Sequence, residues 1–517
     1  MTSNIIMDVM IQLLEPTTII GLITGVVAGM IVGALPGLSA TMAVALLIPL
    51  TFSMGAVPGL VMLTAIYTSA IYGGSISAIL LHTPGTPSSA ATALDGYQLT
   101  KQGRGLEAIG VSTVSSMIGG VVSGFALLFL APPLSLVSLK FSNPEYFLIA
   151  VFGLTIIASL ATDSIVKGLL SGVFGLIIGL IGTDMLTGFP RFTFGLTNLE
   201  SGIALVPAMI GLFSLSQVLT QLEVIKDKKK VKIGEIEGKV LPSWKTLKQI
   251  LPTIGISSLI GLFVGMLPGA GGDIASWVGY NEAKRLSKNP EKFGKGCIEG
   301  VAAPEAANNA VTGGALIPLL VLGIPGSAVA AVLLGGLMIQ GLVPGRELFT
   351  THATITYSVI IGLIFANILM GILGLLSAKH IVKVTNVPLV ILLPSIVIFS
   401  IVGSYAINNR MFDVYVMLVF GLIGYAMKKT GFHPAPVVLA MILGPLAESS
   451  LRRSMVMAKG SLIPYLLGRP ICVVLMLMIV LAVVSPVIAN HRKREKIKNG
   501  FITGEAEEDN YQGAENE

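Results

Sequence analysis

Residues 33–41 read GALPGLSAT, and their position decides how the whole chain is understood. Residues 16–94 contain no Asp, Glu, Lys or Arg, so Leu35-Pro36-Gly37 interrupts an apolar run instead of ending one. Proline removes a backbone donor and clashes with the preceding turn, while glycine relaxes the steric limits on the chain. A helix entering this stretch must unwind. In hydrocarbon the freed amides and carbonyls are costly, and such backbone survives only when buried in protein or lining a wet cavity.

The surroundings are those of a membrane protein. Only 12% of the 517 residues are charged, against about 25% in soluble domains. Further charge-free runs cover 108–139, 201–222, 249–272, 306–345, 348–378, 384–409 and 470–490. One crossing takes roughly 20 apolar residues, so several of these runs hold more than one. The expectation is an all-α polytopic integral membrane protein with roughly a dozen transmembrane or re-entrant helices. The ten-residue alternation of a membrane β-barrel is missing. Two cysteines, Cys297 and Cys472, imply no disulfide framework.

The N-terminus lacks a basic region and carries Asp8 and Glu15, so the first span is expected to be retained rather than cleaved. Basic clusters at 226–232, 428–429 and 492–496 mark cytoplasmic loops by the positive-inside rule. Short basic loops between spans are what topology requires, and no nucleic-acid partner is expected. The stretch ESSLRRSMVMAKG at 448–460 conflicts with this scheme. Either 434–446 fails to cross fully, or that loop breaks the rule. The polar, acidic tail from Gly504 is expected to be disordered.

The break is duplicated. GMLPGAGGD at 265–273 repeats it, and GGSISAILLHTPGT at 73–86 is echoed by GGALIPLLVLGIPGS at 313–327. This divides the chain into an N-terminal membrane repeat over 1–222, a basic cytoplasmic linker over 223–248, a C-terminal membrane repeat over 249–490, and a cytoplasmic tail over 491–517. A competing register pairs 84–101 with 268–284, but the first pairing keeps two motifs in order. Broken helices fall at 35–37, 84–85, 267–269 and 325–326. Paired interruptions in two halves are the pattern of secondary transporters, usually as inverted repeats. There half-helix N-termini hold anionic groups and unwound carbonyls coordinate cations.

Polar groups cluster at the breaks. The first half supplies Ser39, Thr41, Ser75, Ser77, Thr83, Thr86, Ser88 and Ser89, and the second Gly271, Gly272, Asp273, Ser276, Asn308, Asn309, Thr312 and Ser327. Hydroxyls, amides and free backbone N–H groups bind carboxylate oxygens without a fixed positive charge. A single Ser or Thr more often bonds back to its own helix, yet TPGTPSS at 83–89 leaves little regular helix for that. Glu305 and Asp273, the latter read as part of the unwound loop, are the ion-coupling candidates, because intramembrane carboxylates default to such roles. Glu299 is expected at the water interface. His82 precedes a break, where it could titrate near neutrality, but the expected reading is an ordinary interfacial histidine. Lys101, Arg104, Lys284, Arg285 and Arg346 either steer an anion or snorkel at helix ends. No Arg or Lys is expected deep beside the breaks.

VGY at 278–280 lacks the frame of a potassium filter and is attributed to chance. No metalloprotease, serine-hydrolase or nucleotide-binding motif occurs, so no enzyme activity and no cofactor is expected.

The segments GALPGLSATMAVALLIPLTF, YGGSISAILLHTPGTPSSAATALDGY, GMLPGAGGDIASW, GKGCIEGVAAPEAANNAVTGGALIPLLVLGIPGS and ILGPLAESSLRRS resemble the large membrane subunit of the tripartite tricarboxylate transporters (TctA-type). The likeness spans roughly residues 15 to 490. It implies a multi-pass protein of the bacterial inner membrane, working with a small membrane subunit and an extracytoplasmic solute-binding protein. It also implies import of citrate-like tricarboxylates or other organic acids, coupled to Na⁺ or H⁺. The family's Gly-Pro loops match Leu35–Gly37, Pro84–Gly85, Leu267–Gly269 and Pro325–Gly326. On that footing Gly37, Gly269 and Gly326 join Ser39, Thr41, Ser75, Thr86, Ser88, Ser89, Gly271, Asn308, Asn309 and Ser327 as substrate candidates. Pro36 and Pro268 join Asp273 and Glu305 for the coupling ion. An anion channel or facilitator is the first alternative, and an intramembrane enzyme or scaffold the second.

Overall fold

The computed structural model describes residues 3–35, 38–138, 141–160, 165–184, 187–224, 239–267, 269, 271–384 and 389–481. Among them, nine helices are long and apolar enough to cross a membrane, and six shorter apolar helices accompany them. The expected all-α, polytopic architecture is what the chain adopts. Among the described residues, strand is confined to one antiparallel pair, Gly182–Thr183 with Pro190–Arg191. Pro36, Gly37, Pro268, most of the linker and the whole tail lie outside the described residues.

The first break separates α1 (Ser3–Leu14) and α2 (Pro16–Ala34) from α3 (Ala40–Thr51), and α4 (Ala56–Leu81) follows. Gly21, Gly25, Gly29 and Gly33 of α2 face Pro58, Met62, Ile66 and Ala70 of α4. The numbering rises on both helices together, so α2 and α4 run parallel. Their contact is close, since a Cβ on Gly33 would lie 2.2 Å from the Ala70 carbonyl oxygen. Small residues at four-residue spacing permit such an approach without lipid between the backbones. With α2 and α4 parallel, α3 must run backwards between them. It does so, and its Thr51 carbonyl meets Gly59 near the start of α4. The segment α2–α3 is therefore a hairpin whose tip lies level with the middle of α4.

The chain continues through α5 (Ala90–Lys101), α6 (Gly105–Ser138), α7 (Asn143–Leu160), α8 (Ile165–Gly179) and α9 (Leu205–Glu223). The second hairpin follows. In it α10 (Trp244–Met266) leads to α11 (Gly271–Leu286), beside α12 (Ile298–Leu322). Gly261 and Gly265 of α10 face Ala307 and Val311 of α12, again parallel, and Gly279 of α11 returns past Ala307. At the tip Gly269 and Gly271 have φ of +80° and +61°, the left-handed region that favours glycine. Here the second glycine-rich break has a backbone reason.

One trio of close approaches occurs in both hairpins. A Cβ on Gly85 would sit 2.3 Å from the Gly33 carbonyl oxygen and 2.7 Å from the Gly74 Cα. One on Gly326 would sit 2.2 Å from the Gly265 carbonyl oxygen and 2.8 Å from the Ala315 Cα. Where the halves meet, Thr68 Oγ1 donates to Asn309 Oδ1 at 3.0 Å and Ser75 Oγ to Glu305 Oε1 at 2.5 Å. Numbers rise along α4 as they fall along α12, so these two central spans run antiparallel.

After α12 come α13 (Ala328–Ile339), α14 (Ala353–Val384), α15 (Leu389–Asn408), α16 (Met411–Lys429) and α17 (Ala435–Met457). With 23 residues and sufficient apolarity, α17 is long enough to cross. Residues 448–457 belong to this helix, so most of the basic stretch is helix and not loop. Arg452 there pairs with Asp184 at 2.7 Å and Glu448 at 2.8 Å, and Arg191 pairs with Glu448 at 2.8 Å.

Candidate functional site

Four helices begin at one place. Ser39 is the N-cap of α3, Thr86 caps the short turn Pro87–Ser89 that runs into α5, Gly271 opens α11, and Ser327 caps α13. All four line a cavity of about 460 Å³ between the hairpin tips. The sequence makes these starts inevitable, because each follows a Pro-Gly break and ends in a capping hydroxyl or a glycine. Ser39 Oγ accepts from the Met42 amide and Ser327 Oγ from the Ala330 amide, both at 3.2 Å. A helix start carries further amides without intrahelical partners, and its dipole end is positive. Four such ends around one cavity make a field suited to an anion.

Of the residues singled out from the sequence, Ser39, Thr41, Thr86, Ser88, Gly269, Gly271, Asp273 and Ser327 line this cavity, and Gly272 does so too. Asp273 does not lie on the unwound segment as expected. It occupies the first turn of α11, exposed toward the cavity.

Other candidates stand behind the wall. Ser89 Oγ donates to the Gly74 carbonyl at 3.0 Å, bracing the loop against α4. Gly326 is the packing glycine described above. Asn309 accepts from Thr68. Asn308 is 1% exposed, and neither its amide oxygen nor its nitrogen has a hydrogen-bond partner. A Cβ on Gly272, in the cavity wall, would lie 2.3 Å from Asn308 Oδ1. Such groups are rare in folded proteins.

Glu305 is not among the residues lining the cavity. It is 1% exposed and takes four hydroxyl donors, Ser75, Thr92, Ser112 and Ser116, at 2.5–2.9 Å. His82 lies at the end of α4, stacked on Tyr97 at 4.7 Å. Burial and the neighbouring Lys101 hold its pKa below the usual value of 6.5, so it is mainly neutral at neutral pH. Arg104, just before α6, pairs with Glu107, and Arg285 pairs with Glu282 on α11. Glu299 accepts from Gln249 at 2.6 Å.

The sequence reading missed three features. Tyr67, from mid-α4, reaches the cavity and its hydroxyl pairs with Ser327 Oγ at 3.1 Å. Lys428 from the end of α16, with Phe432 and His433 from the α16–α17 connection, adds to the lining, so a cation does stand beside the breaks. The Lys-Lys pair was visible but served only to orient a loop. Asp95, from the motif ALDGY, is fully buried and accepts from the amides of Gly294, Gly296 and Cys297 and from the Tyr280 hydroxyl, at 2.6–3.0 Å. It ties α5 to the connection between α11 and α12. Only the fold brings those partners to it.

Among the described residues no cluster of three or more His, Cys, Asp or Glu side chains is arranged to hold a metal ion.

Comparison with known proteins adds a family. A family profile described as the tripartite tricarboxylate transporter TctA family matches residues 19–439. A curated Agrobacterium vitis protein, "Uncharacterized 52.8 kDa protein in TAR-I ttuC' 3'region", is 38% identical over 488 residues, covering 94% of this chain and 96% of its own. A second from the same organism, "Uncharacterized protein in TAR-II ttuC' 3'region", is 44% identical over 200 residues, covering 39% of this chain and 83% of its own. No solved structure matches.

Proposed function

Because the chain belongs to the tripartite tricarboxylate transporter TctA family, we propose that it is the large membrane subunit of an ion-coupled importer of organic acids. The substrate class is a citrate-like tricarboxylate or a related di- or tricarboxylate. The coupling ion is Na⁺ or H⁺, and the membrane is the bacterial inner membrane. A small membrane subunit and an extracytoplasmic solute-binding protein complete the system.

One observation carries this reading: four helix N-termini converge on one cavity at the hairpin tips. Aligned dipole ends and free amides favour carboxylate oxygens. The opposite course of α4 and α12 supports treating the halves as inverted repeats, the arrangement in which two gates alternate around a central site. Asp273 supports cation coupling, since a polyanion beside an exposed carboxylate needs a positive ion between them. Moving each net negative charge into a negative-inside cell costs about 2.3 kcal/mol per 100 mV.

The test is uptake of labelled citrate into cells or proteoliposomes containing the assembled system. The expected result is accumulation that follows an imposed Na⁺ or H⁺ gradient and stops when it collapses. Flux that persists after collapse would mark a facilitator instead.

A further inference from the structure

Lys428 and Lys429 are neighbours in the last turn of α16, yet the fold puts them to different uses. Lys429 pairs with Glu223 at 2.5 Å on the exposed flank of the helix. Lys428 turns the other way and lines the cavity, its Nζ donating to Gln217 Oε1 of α9 at 2.6 Å. Among the described residues no carboxylate stands within 4 Å of that ammonium. A lysine at a helix end ordinarily snorkels to water. This one is held by a neutral amide on the wall of a cavity that helix starts also line.

An ammonium sheltered from bulk water and lacking an anionic partner is unfavourable unless an anion arrives. Its position at the C-terminal end of α16 offsets part of that cost, and Gln217 satisfies one of its three donors. The remaining donors have their natural acceptor in a carboxylate. The helix starts at Ser39, Thr86, Gly271 and Ser327 supply a field for one carboxylate group, and Lys428 supplies a point charge for another.

We propose that Lys428 is the residue that selects substrates with more than one carboxylate, its ammonium engaging a second carboxylate while the helix starts hold the first. This rests on the carboxylate reading of the cavity and adds the source of its preference. The wild-type cavity then favours di- and tricarboxylates over monocarboxylates of similar size. Removing the charge erases that preference and leaves monocarboxylate binding nearly unchanged.

The test measures the affinities of citrate, succinate and butyrate for the full chain in nanodiscs at fixed ionic strength. Wild type, Lys428→Gln, Lys428→Met and Lys428→Arg are compared, with unliganded melting as the folding check. Two neutral variants of different polarity guard against one failing to fold. In both, citrate and succinate affinities are expected to fall roughly tenfold or more while butyrate changes little, and Lys428→Arg is expected to retain most of the preference. Citrate binding as tightly to the neutral variants as to wild type would overturn the role of Lys428 and leave the carboxylate site standing. A parallel loss for all three acids would overturn it too, by reducing Lys428 to a structural part. If wild type binds none of the three, the carboxylate reading itself fails.

Discussion

Glu305 and Asp273 both stand near the breaks, and they are opposites. Glu305 is sealed among four hydroxyls drawn from α4, α5 and α6. Asp95 is sealed in the same manner by three amides and a phenol. Asp273 faces an open cavity, and near it stand a lysine without an anionic partner and an asparagine without any. A polar group satisfied by the protein holds the fold, while Asp273 and Lys428, which face the cavity, are the candidates for contact with what binds there. Residue type does not separate the two classes. Partners do.

The comparison predicts that stability and transport respond in opposite orders. The largest structural effect is expected from Glu305→Ala or Asp95→Ala. Each strands several buried donors at about 1–3 kcal/mol apiece, so thermal melting in detergent should fall sharply and expression with it. If either variant melts like wild type, the sealed clusters do not hold the halves together. Gly85→Ala comes next. A methyl group there meets backbone on two sides, at 2.3 and 2.7 Å, and overpacking of this kind typically costs about 1–3 kcal/mol. Melting together with uptake should expose it as a packing defect that impairs both.

Asp273→Asn is expected to leave the melting point nearly unchanged and to reduce cation-driven uptake by roughly tenfold or more. Wild-type uptake in that variant would remove Asp273 from the coupling role. Asn308→Ala should have the smallest effect on stability, within about 1 kcal/mol, because no bond is lost when an unpartnered amide is removed. Its uptake should still fall, and a variant that is both stable and fully active would sink the claim that this amide serves the site.

A chemical probe sharpens the other side. Burial, with the Glu299 carboxylate adding to it, pushes the Cys297 thiol up to about 12. It is therefore expected to stay protonated and resist iodoacetamide near pH 8, where a free cysteine with pKa about 8.5 reacts. Since the Cys297 amide is one of Asp95's donors, labelling that rises in Asp95→Ala would report the opening of that cluster.

Much of this was legible in the sequence. Apolar run length and Pro-Gly breaks are local signals, so the helical membrane class and the ends of α2 at Ala34 and of α10 at Met266 could be read directly. The loop hydroxyls Ser39, Thr86, Ser88 and Ser327 were found because each sits within a few residues of a break. What depended on distant partners was hidden. Nothing local says that Ser75, Thr92, Ser112 and Ser116 converge on Glu305. The motif KK at 428–429 has the same composition whether its side chains face water or a cavity. Asp95 gave no signal at all, since its acceptor role depends on a loop 201–202 residues away in chain order.

The most direct test of the central claim is a cryo-EM map of the full chain in nanodiscs at saturating citrate. The account predicts density for the anion between the starts of α3, α11 and α13 and the turn at Thr86–Ser88, beside Lys428. Citrate resolved elsewhere in the membrane domain while this cavity stays without it would contradict the account.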